Sequence, residues 1–103
     1  MDEALREQIE DDIKNNRVLL YMKGNRNEPK CGFSAQVLSI LNNSHVSFET
    51  RDVLESWDLR EGIKEYTNWP TIPQLYVEGK FVGGCDIVSE LYRKGELAKI
   101  LKS

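Results

Sequence analysis

The sequence predicts an α/β fold, a small four-stranded mixed sheet flanked by helices on both faces. Helical and strand patterns alternate along the chain in the order α-β-α-β-α-β-β-α. The first half of that order is typical of a βαβ crossover, which places two strands parallel. The last two strands are separated only by Glu78-Gly79, a pair suited to a tight hairpin, so they run antiparallel. The two kinds of pairing indicate a mixed sheet on which helices pack.

Three elements open the chain. Apolar residues recur at four-residue spacing between positions 5 and 13, which predicts an amphipathic helix over residues 3–15. Residues 18–22, Val-Leu-Leu-Tyr-Met, form a continuous apolar run typical of a buried strand. Residues 23–30 contain Gly, Pro and two Asn, and therefore predict a loop.

The rest of the chain repeats this alternation. A helical stripe predicts a helix over residues 33–41, and alternating apolar positions predict a strand over 46–53. Residues 57–66 fit a helix, which the Pro-containing segment after it breaks. The hairpin strands follow at 74–77 and 80–82. Asp86 is predicted to cap a helix that ends near residue 93, and a last short helix is predicted over residues 96–101.

Length and composition describe one globular domain over residues 1–103. The chain has 103 residues, of which 40% are hydrophobic and 30% charged, as in ordinary single domains. A net charge of −3 argues against a nucleic-acid surface, which would favour a basic face. No apolar run approaches the roughly 20 residues that cross a bilayer. We therefore expect neither nucleic acid nor membrane as a partner.

The N-terminal residues and the two cysteines favour a cytoplasmic protein. Residues 1–7 are acidic and contain no hydrophobic signal segment. Two cysteines without a secretory signal fit a reducing compartment. The mitochondrial matrix or a plastid is the alternative if a transit peptide was removed.

Residues 31–34, Cys-Gly-Phe-Ser, carry the strongest chemical signal in the chain. They look like the redox turn Cys-x-x-Cys with its second thiol replaced by a hydroxyl. A Cys-x-x-Cys pair forms a mixed disulfide and resolves it internally. Ser34 cannot supply the resolving thiolate. Cys31 therefore needs an external thiol or a metal as its partner.

Cys31 stands at the predicted start of a helix, where free N–H groups and the helix dipole favour a thiolate. Thiolate is also the form that ligates iron. The alternative is a buried, inert cysteine, which the polar loop and Lys30 before it disfavour. Ser34 is expected to be an N3 residue that bonds to nearby backbone. Phe33 is expected to pack against either the site or the core.

Four short motifs stand in a definite order along the chain. They are residues 21–24 (Tyr-Met-Lys-Gly), the Cys-Gly-Phe-Ser turn, residues 69–74 (Trp-Pro-Thr-Ile-Pro-Gln) and residues 83–86 (Gly-Gly-Cys-Asp). Six residues separate the first motif from Cys31. Together with the element order, they resemble the monothiol glutaredoxins of the CGFS type over roughly residues 5–101. The resemblance implies a thioredoxin fold, glutathione binding and a [2Fe–2S] cluster shared by two subunits.

The resemblance also implies where the cluster ligands come from. A [2Fe–2S] centre ordinarily takes four thiolates, and the turn holds one. Cys31 of each subunit and one glutathione thiol per subunit would complete the set. This implies a homodimer bridged by the cluster. A BolA-type protein that can replace one subunit and apo iron–sulfur recipients are the other implied partners.

The same resemblance assigns contacts to the carboxylate and backbone of glutathione. Lys23 is implied to bind either the glycyl carboxylate or the thiolate and cluster sulfur, and Arg60 is implied to be the second carboxylate contact. Paired donors suit a guanidinium to a carboxylate, although Arg60 could instead pair with an acidic neighbour on its helix. An isolated Ile72-Pro73 bond would favour trans. The thioredoxin-fold resemblance implies cis, with the Ile72 backbone turned toward the cysteinyl part of glutathione.

The last motif is implied to bind the γ-glutamyl end of glutathione. Cys85 contributes its backbone, and Asp86 both caps the helix and accepts from the γ-glutamyl ammonium. The alternatives are a purely capping Asp86 and, under oxidation, a disulfide between Cys31 and Cys85 or with glutathione. Trp69 is expected to pack and set its loop, and Trp57 to belong to the core or a groove wall.

Two functions follow. The first is binding and transfer of the bridging [2Fe–2S] cluster in iron–sulfur protein assembly. The second is a glutathione-dependent thiol–disulfide oxidoreductase that acts on protein–glutathione mixed disulfides by a monothiol route. The resemblance favours transfer, because the family's long loop and Lys23 are thought to suit ligation better than attack on glutathione. Any oxidoreductase activity is expected to be weak.

Overall fold

A mixed four-stranded sheet with the order β2-β1-β3-β4 forms the centre of the computed structural model, which describes residues 1–102. The strands are β1 (Val18–Met22), β2 (Glu49–Asp52), β3 (Gln74–Val77) and β4 (Lys80–Gly83). β1 pairs in parallel with β2 and antiparallel with β3, and β3 pairs antiparallel with β4. The predicted mixed sheet and its hairpin are confirmed.

Helices cover both faces of this sheet. The helices are α1 (Glu3–Asn15), α2 (Gly32–Asn43), α3 (Trp57–Thr67), α4 (Cys85–Arg93) and α5 (Leu97–Lys102), and a 3₁₀ turn (Val53–Glu55) joins β2 to α3. One face carries α1 and α3, and the other carries α2, α4 and α5. Across residues 1–102, no helix has the length and apolar character that spanning a bilayer requires.

The central strand β1 divides the core in two. Leu20 and Met22 pack on the side of α2, α4 and α5, whereas Leu19 and Tyr21 pack on the side of α1 and α3. Successive side chains of a strand face opposite sides of the sheet. Because helices cover both sides, all of β1 is buried. The apolar run without polar positions follows from that double burial.

Local signals define the helix ends around this core. The Asp2 carboxylate accepts from the Leu5 N–H at 2.8 Å, and the Ser56 hydroxyl accepts from the Leu59 N–H at 3.1 Å. Asn68 ends α3 in the left-handed conformation with a φ of 54°. Such N-caps contribute about 1 kcal/mol each, and a left-handed C-terminal residue is a common helix ending.

Two predicted boundaries are wrong. The strand predicted over residues 46–53 is limited to Glu49–Asp52, because β2 pairs only with residues 19–22 of β1. Val46 and Phe48 still contribute to the core from outside the strand. α4 begins at Cys85 with Gly84 as its N-cap, so Asp86 lies inside the first turn and does not cap the helix.

Candidate functional site: a thiol beside an apolar groove

Cys31 stands at the junction of the β1–α2 loop and α2. It is the N-cap residue, with extended backbone, and its carbonyl accepts the first helical hydrogen bond from the Ala35 N–H at 2.9 Å. Its thiol is free and half-buried. Within residues 1–102, no group of three or more His, Cys, Asp or Glu side chains could hold a metal ion.

The helix start lowers the pKa of Cys31. The backbone N–H of Ser34 contributes most to the low pKa, burial opposes it, and the Phe33 N–H, the Lys23 charge and the Ser34 hydroxyl add to it. Free N–H groups at a helix N-terminus stabilise negative charge. The thiolate, which is both nucleophile and metal ligand, is therefore favoured here.

Ser34 connects the Cys-Gly-Phe-Ser turn to Lys23, the residue directly after β1. Its side chain is fully buried, and its hydroxyl accepts a 3.0 Å hydrogen bond from the Lys23 N–H. The Lys23 carbonyl in turn accepts from the Lys30 N–H at 2.9 Å, which closes the loop before Cys31. The expectation of an N3 serine that bonds to nearby backbone is confirmed.

Two further sets of contacts hold the β1–α2 loop, residues 23–30, in place. One oxygen of the Asp52 carboxylate accepts from the Gly24 N–H at 2.9 Å and from the Leu54 N–H at 2.8 Å. The Arg26 guanidinium lies 4.0 Å from the centre of the Phe48 ring and donates to the Phe48 carbonyl at 2.7 Å. These contacts hold the loop against the segment around β2, and with it the Lys23 backbone.

An apolar groove of about 240 Å³ opens beside the turn, with Phe33 as one wall. Ile72, Pro73, Cys85 and Asp86, four of the predicted site residues, line it together. The Ile72–Pro73 peptide bond is cis, as the fold resemblance implied. The groove thus joins the segment before β3 to the start of α4.

Gly84 keeps the floor of this groove open. A Cβ atom at this position would lie 3.2 Å from the Pro73 carbonyl oxygen and 3.3 Å from Trp69 Nε1. Any other residue would press against the groove wall at the point where α4 presents its first N–H groups. Trp69 packs on Phe81 with ring centres 5.4 Å apart, as expected for a residue that sets its loop.

Four predicted residues lie outside the groove lining: Cys31, Lys23, Arg60 and Trp57. Trp57 is 67% exposed, so its assignment to the core is wrong; Leu59 and Ile63 fill the core from α3 instead. Arg60 lies with its guanidinium carbon 5.5 Å from the centre of the Trp57 ring. Its Nε is buried and, within residues 1–102, has no hydrogen-bond partner.

The alternative ion pair of Arg60 is not present in the described chain. Glu61 pairs with Lys64 at 3.3 Å, and Glu65 pairs with the amino terminus at 3.3 Å. The carboxylate-binding role of Arg60 remains a prediction. The alternative disulfide is not formed, since Cys31 and Cys85 are both free.

The comparisons with known proteins bear on this arrangement of thiol and groove. The family model described as Glutaredoxin matches residues 18–82. The probable monothiol glutaredoxin 2 of Rickettsia conorii is 54% identical over 95 residues, which are 92% of this chain and 89% of that protein. The chain belongs to the monothiol glutaredoxin family. Human glutaredoxin-3 is 59% identical over 85 residues, and this chain spans 25% of that longer protein.

Solved structures agree with this family and with the fold. Reduced apo GrxS14 of poplar is 44% identical, with a TM-score of 0.84 over 95% of this chain and 90% of that one. A buckwheat glutaredoxin, solved as a glutathione complex, has a TM-score of 0.84 over 99% of this chain and 94% of that one. At 22% identity it is evidence of the fold alone. The thioredoxin fold of glutaredoxins is confirmed.

Sequence reasoning missed several parts of this glutaredoxin site. Asp52 lies inside the strand predicted over residues 46–53, and no pattern in the sequence indicated that its carboxylate accepts from the Gly24 N–H. Thr71 and Ile87 also line the groove. Gln74 is fully buried and donates to the Thr71 carbonyl, although its position had suggested only a strand residue.

Proposed function

We propose that the chain binds glutathione in the groove and, as a homodimer, holds a [2Fe–2S] cluster that it transfers to apo iron–sulfur proteins. The Cys31 thiolate carries this proposal: it is favoured by the helix start, half-exposed, and has no second thiol in its turn. The cluster is the cargo. The Cys31 residues of two subunits and the thiols of two glutathiones are its four proposed ligands.

Groove chemistry supports the glutathione part of the proposal. The N–H groups at the start of α4 suit the γ-glutamyl carboxylate, and Asp86 in the first turn suits its ammonium. The backbone of Ile72 suits the cysteinyl part, as a short β-bridge. Lys23 and Arg60 are the proposed partners of the glycyl carboxylate. A buckwheat relative of the same fold has been solved with glutathione bound.

The position of Cys31 supports the dimer. One thiolate per chain cannot satisfy a cluster, and residues 1–102 contain no group of three or more His, Cys, Asp or Glu side chains that could hold a metal ion. A second copy of the chain and two glutathione thiols supply the three missing ligands. In the proposal, a BolA-type protein can take the place of one subunit at the half-exposed Cys31 thiol, and recipient apoproteins approach the same thiol during transfer.

Reconstitution tests the proposal. The protein is incubated without oxygen with ferrous iron, sulfide and glutathione, and its visible spectrum, iron content and mass are measured. We expect a brown dimer with about two irons per two chains. Cys31→Ser should remain a colourless monomer, and omission of glutathione should have the same effect. Cys85→Ser should load like the wild type, because Cys85 is proposed to act through its backbone.

The lowered pKa of Cys31 also favours a second candidate, the glutathione-dependent oxidoreductase. In that reaction the Cys31 thiolate attacks the glutathione sulfur of a mixed disulfide and releases the protein thiolate. A second glutathione thiolate then attacks the glutathione sulfur on Cys31, which releases glutathione disulfide and restores the Cys31 thiolate. A colourless wild-type monomer with rapid turnover of glutathione mixed disulfides would favour this function over cluster transfer.

A further inference from the structure

A buried glutamine lies against the wall of the groove. Gln74, the first residue of β3, follows the Ile72–Pro73 bond and is fully buried. Its Nε2 donates to the carbonyl oxygen of Trp69 at 3.1 Å and to that of Thr71 at 3.2 Å. Trp69 and Thr71 both line the groove. Both amide hydrogens are therefore used on the segment that forms the groove wall.

The oxygen of the same amide is held by the fold. Gln74 Oε1 accepts from the Tyr76 hydroxyl at 2.9 Å and lies 3.2 Å from Thr67 Oγ1, at the last residue of α3. The amide thus connects the groove wall to β3 and to the end of α3. Both hydrogens and the oxygen of this buried amide have partners, and a buried polar network whose groups are all satisfied is rigid.

An amide is the group that satisfies both sides. A carboxylate accepts hydrogen bonds but cannot donate, so glutamate would direct its oxygens at two carbonyl oxygens. A methionine of similar length offers neither donor nor strong acceptor. The ionisable side chains next to this position include the Tyr76 hydroxyl and, packed on its ring, the phenol of Tyr21.

We infer that Gln74 is a positioning residue for glutathione binding. Its two N–H bonds set the placement of Trp69 and Thr71 in the groove wall, and through them the affinity for the tripeptide. The inference rests on the proposed function, because the groove is the proposed glutathione site. Gln74 itself does not line the groove and acts only through these two residues.

Gln74→Glu tests the inference through its pH dependence. The ionised variant cannot donate to the two carbonyls, whereas the protonated variant regains one donor. Apo protein is titrated calorimetrically with reduced glutathione, without oxygen, between about pH 5.5 and 8, below the range in which phenols ordinarily ionise. We expect Kd to be about tenfold or more above the control at the upper pH, and within about threefold of it at the lower pH.

Gln8→Glu is the matched control for this titration. Gln8 is exposed on α1, so the substitution adds the same charge on a solvent-facing helix. The ratio of the two dissociation constants at each pH removes the titration of Cys31 and of glutathione itself. What remains is the effect of the new carboxyl behind the groove.

Two further variants separate positioning from stability. Gln74→Met removes both donors and adds no titratable group, so its Kd should rise by about tenfold at every pH. Tyr76→Phe removes one bond to Gln74 Oε1 and leaves both bonds to the groove wall. Its Tm should fall while its Kd stays within about twofold of wild type.

The outcomes distinguish the inference from the proposed function. Wild-type protein that gives no heat with glutathione would overturn the proposed function and this inference with it. Wild-type binding together with Gln74→Glu and Gln74→Met variants that bind like Gln8→Glu at every pH would overturn the inference alone. A pH-dependent loss in Gln74→Glu, a pH-independent loss in Gln74→Met and near-normal affinity in Tyr76→Phe would support it.

Discussion

At the scale of single residues, the thiolate of Cys31 depends on backbone more than on charge. The Ser34 N–H makes the largest contribution to its lowered pKa, ahead of the Phe33 N–H and the Lys23 ammonium. Helix geometry supplies those N–H groups whatever the side chains are. A single substitution at Lys23 should therefore weaken the thiolate without abolishing it.

Lys23→Met should raise the pKa of Cys31. The substitution removes a positive charge that favours the thiolate, and it keeps the backbone N–H that bonds to Ser34. The rate at which iodoacetamide alkylates Cys31 is measured across pH by peptide mass spectrometry. In wild type, the midpoint of this rate profile should lie below about 8.5, the usual pKa of a cysteine thiol. The midpoint should shift upward in the variant.

Lys30→Met is the control for that experiment. Lys30 directly precedes Cys31, yet its ammonium pairs with Glu28 at 2.6 Å and is not among the groups that shift the pKa of Cys31. The midpoint of Cys31 alkylation in Lys30→Met should match that of the wild type. An equal upward shift in both variants would show that general positive charge, and not Lys23 in particular, favours the thiolate.

Short motifs predicted single residues well where the chemistry is local. Cys31 and Ser34 could be predicted because adjacent residues define them, whereas the cis Ile72–Pro73 bond was predicted only from the fold resemblance. Trp57 and Gln74 could not, because their burial depends on which face of α3 and which side of β3 meets the core. An aromatic residue at a helix start and an amide at a strand start carry no signal of that choice.

At the scale of elements, the β1–α2 loop is a braced structure. Gly24 adopts a φ of 91°, and its backbone forms a bridge to Pro29. A Cβ at Gly24 would lie 2.4 Å from the Glu28 carbonyl oxygen and 2.7 Å from the Lys30 nitrogen. The loop therefore closes on itself only with glycine at this position. The sequence predicted a loop but not these long-range contacts.

Gly24→Ala should destabilise the protein more than Gly79→Ala does. Both glycines have positive φ, 91° and 78°, but a Cβ at Gly79 meets nothing within 4 Å. Gly79→Ala should cost about 1–2 kcal/mol of unfolding free energy from backbone strain. Gly24→Ala adds a backbone clash and should cost at least about 1 kcal/mol more.

Urea unfolding measures both losses, and the Cys31 alkylation midpoint measures their effect on the site. Gly24→Ala should also move that midpoint, because the clash falls on the Lys30 N–H that bonds to the Lys23 carbonyl. Gly79→Ala lies in the β3–β4 hairpin and should leave the midpoint unchanged. Equal losses of stability in the two variants would contradict the braced loop.

At the scale of the whole molecule, the two halves of the core differ in chemistry. The half under α2, α4 and α5 is formed by apolar side chains, whereas the half under α1 and α3 contains Tyr21 and Tyr76. Their rings pack edge to face with centres 5.7 Å apart. The Tyr76 hydroxyl bonds to Gln74, but that of Tyr21 is buried and, in the described chain, without a hydrogen-bond partner.

This difference predicts opposite effects of two similar substitutions at neutral pH. Tyr76→Phe removes a hydrogen bond and should cost about 1 kcal/mol. Tyr21→Phe removes a buried hydroxyl that has no partner in the described chain, and should therefore be neutral or stabilising.

Both phenols have pKa values raised chiefly by burial, so the folded protein keeps their protons when the unfolded chain loses them. Stability from this source is complete below about pH 10 and falls as pH rises further, by about 1.4 kcal/mol per pH unit for each phenol. Either substitution should make the alkaline loss of stability shallower by one such slope in urea unfolding curves. An unchanged slope in both variants would show that these two tyrosines do not drive alkaline unfolding.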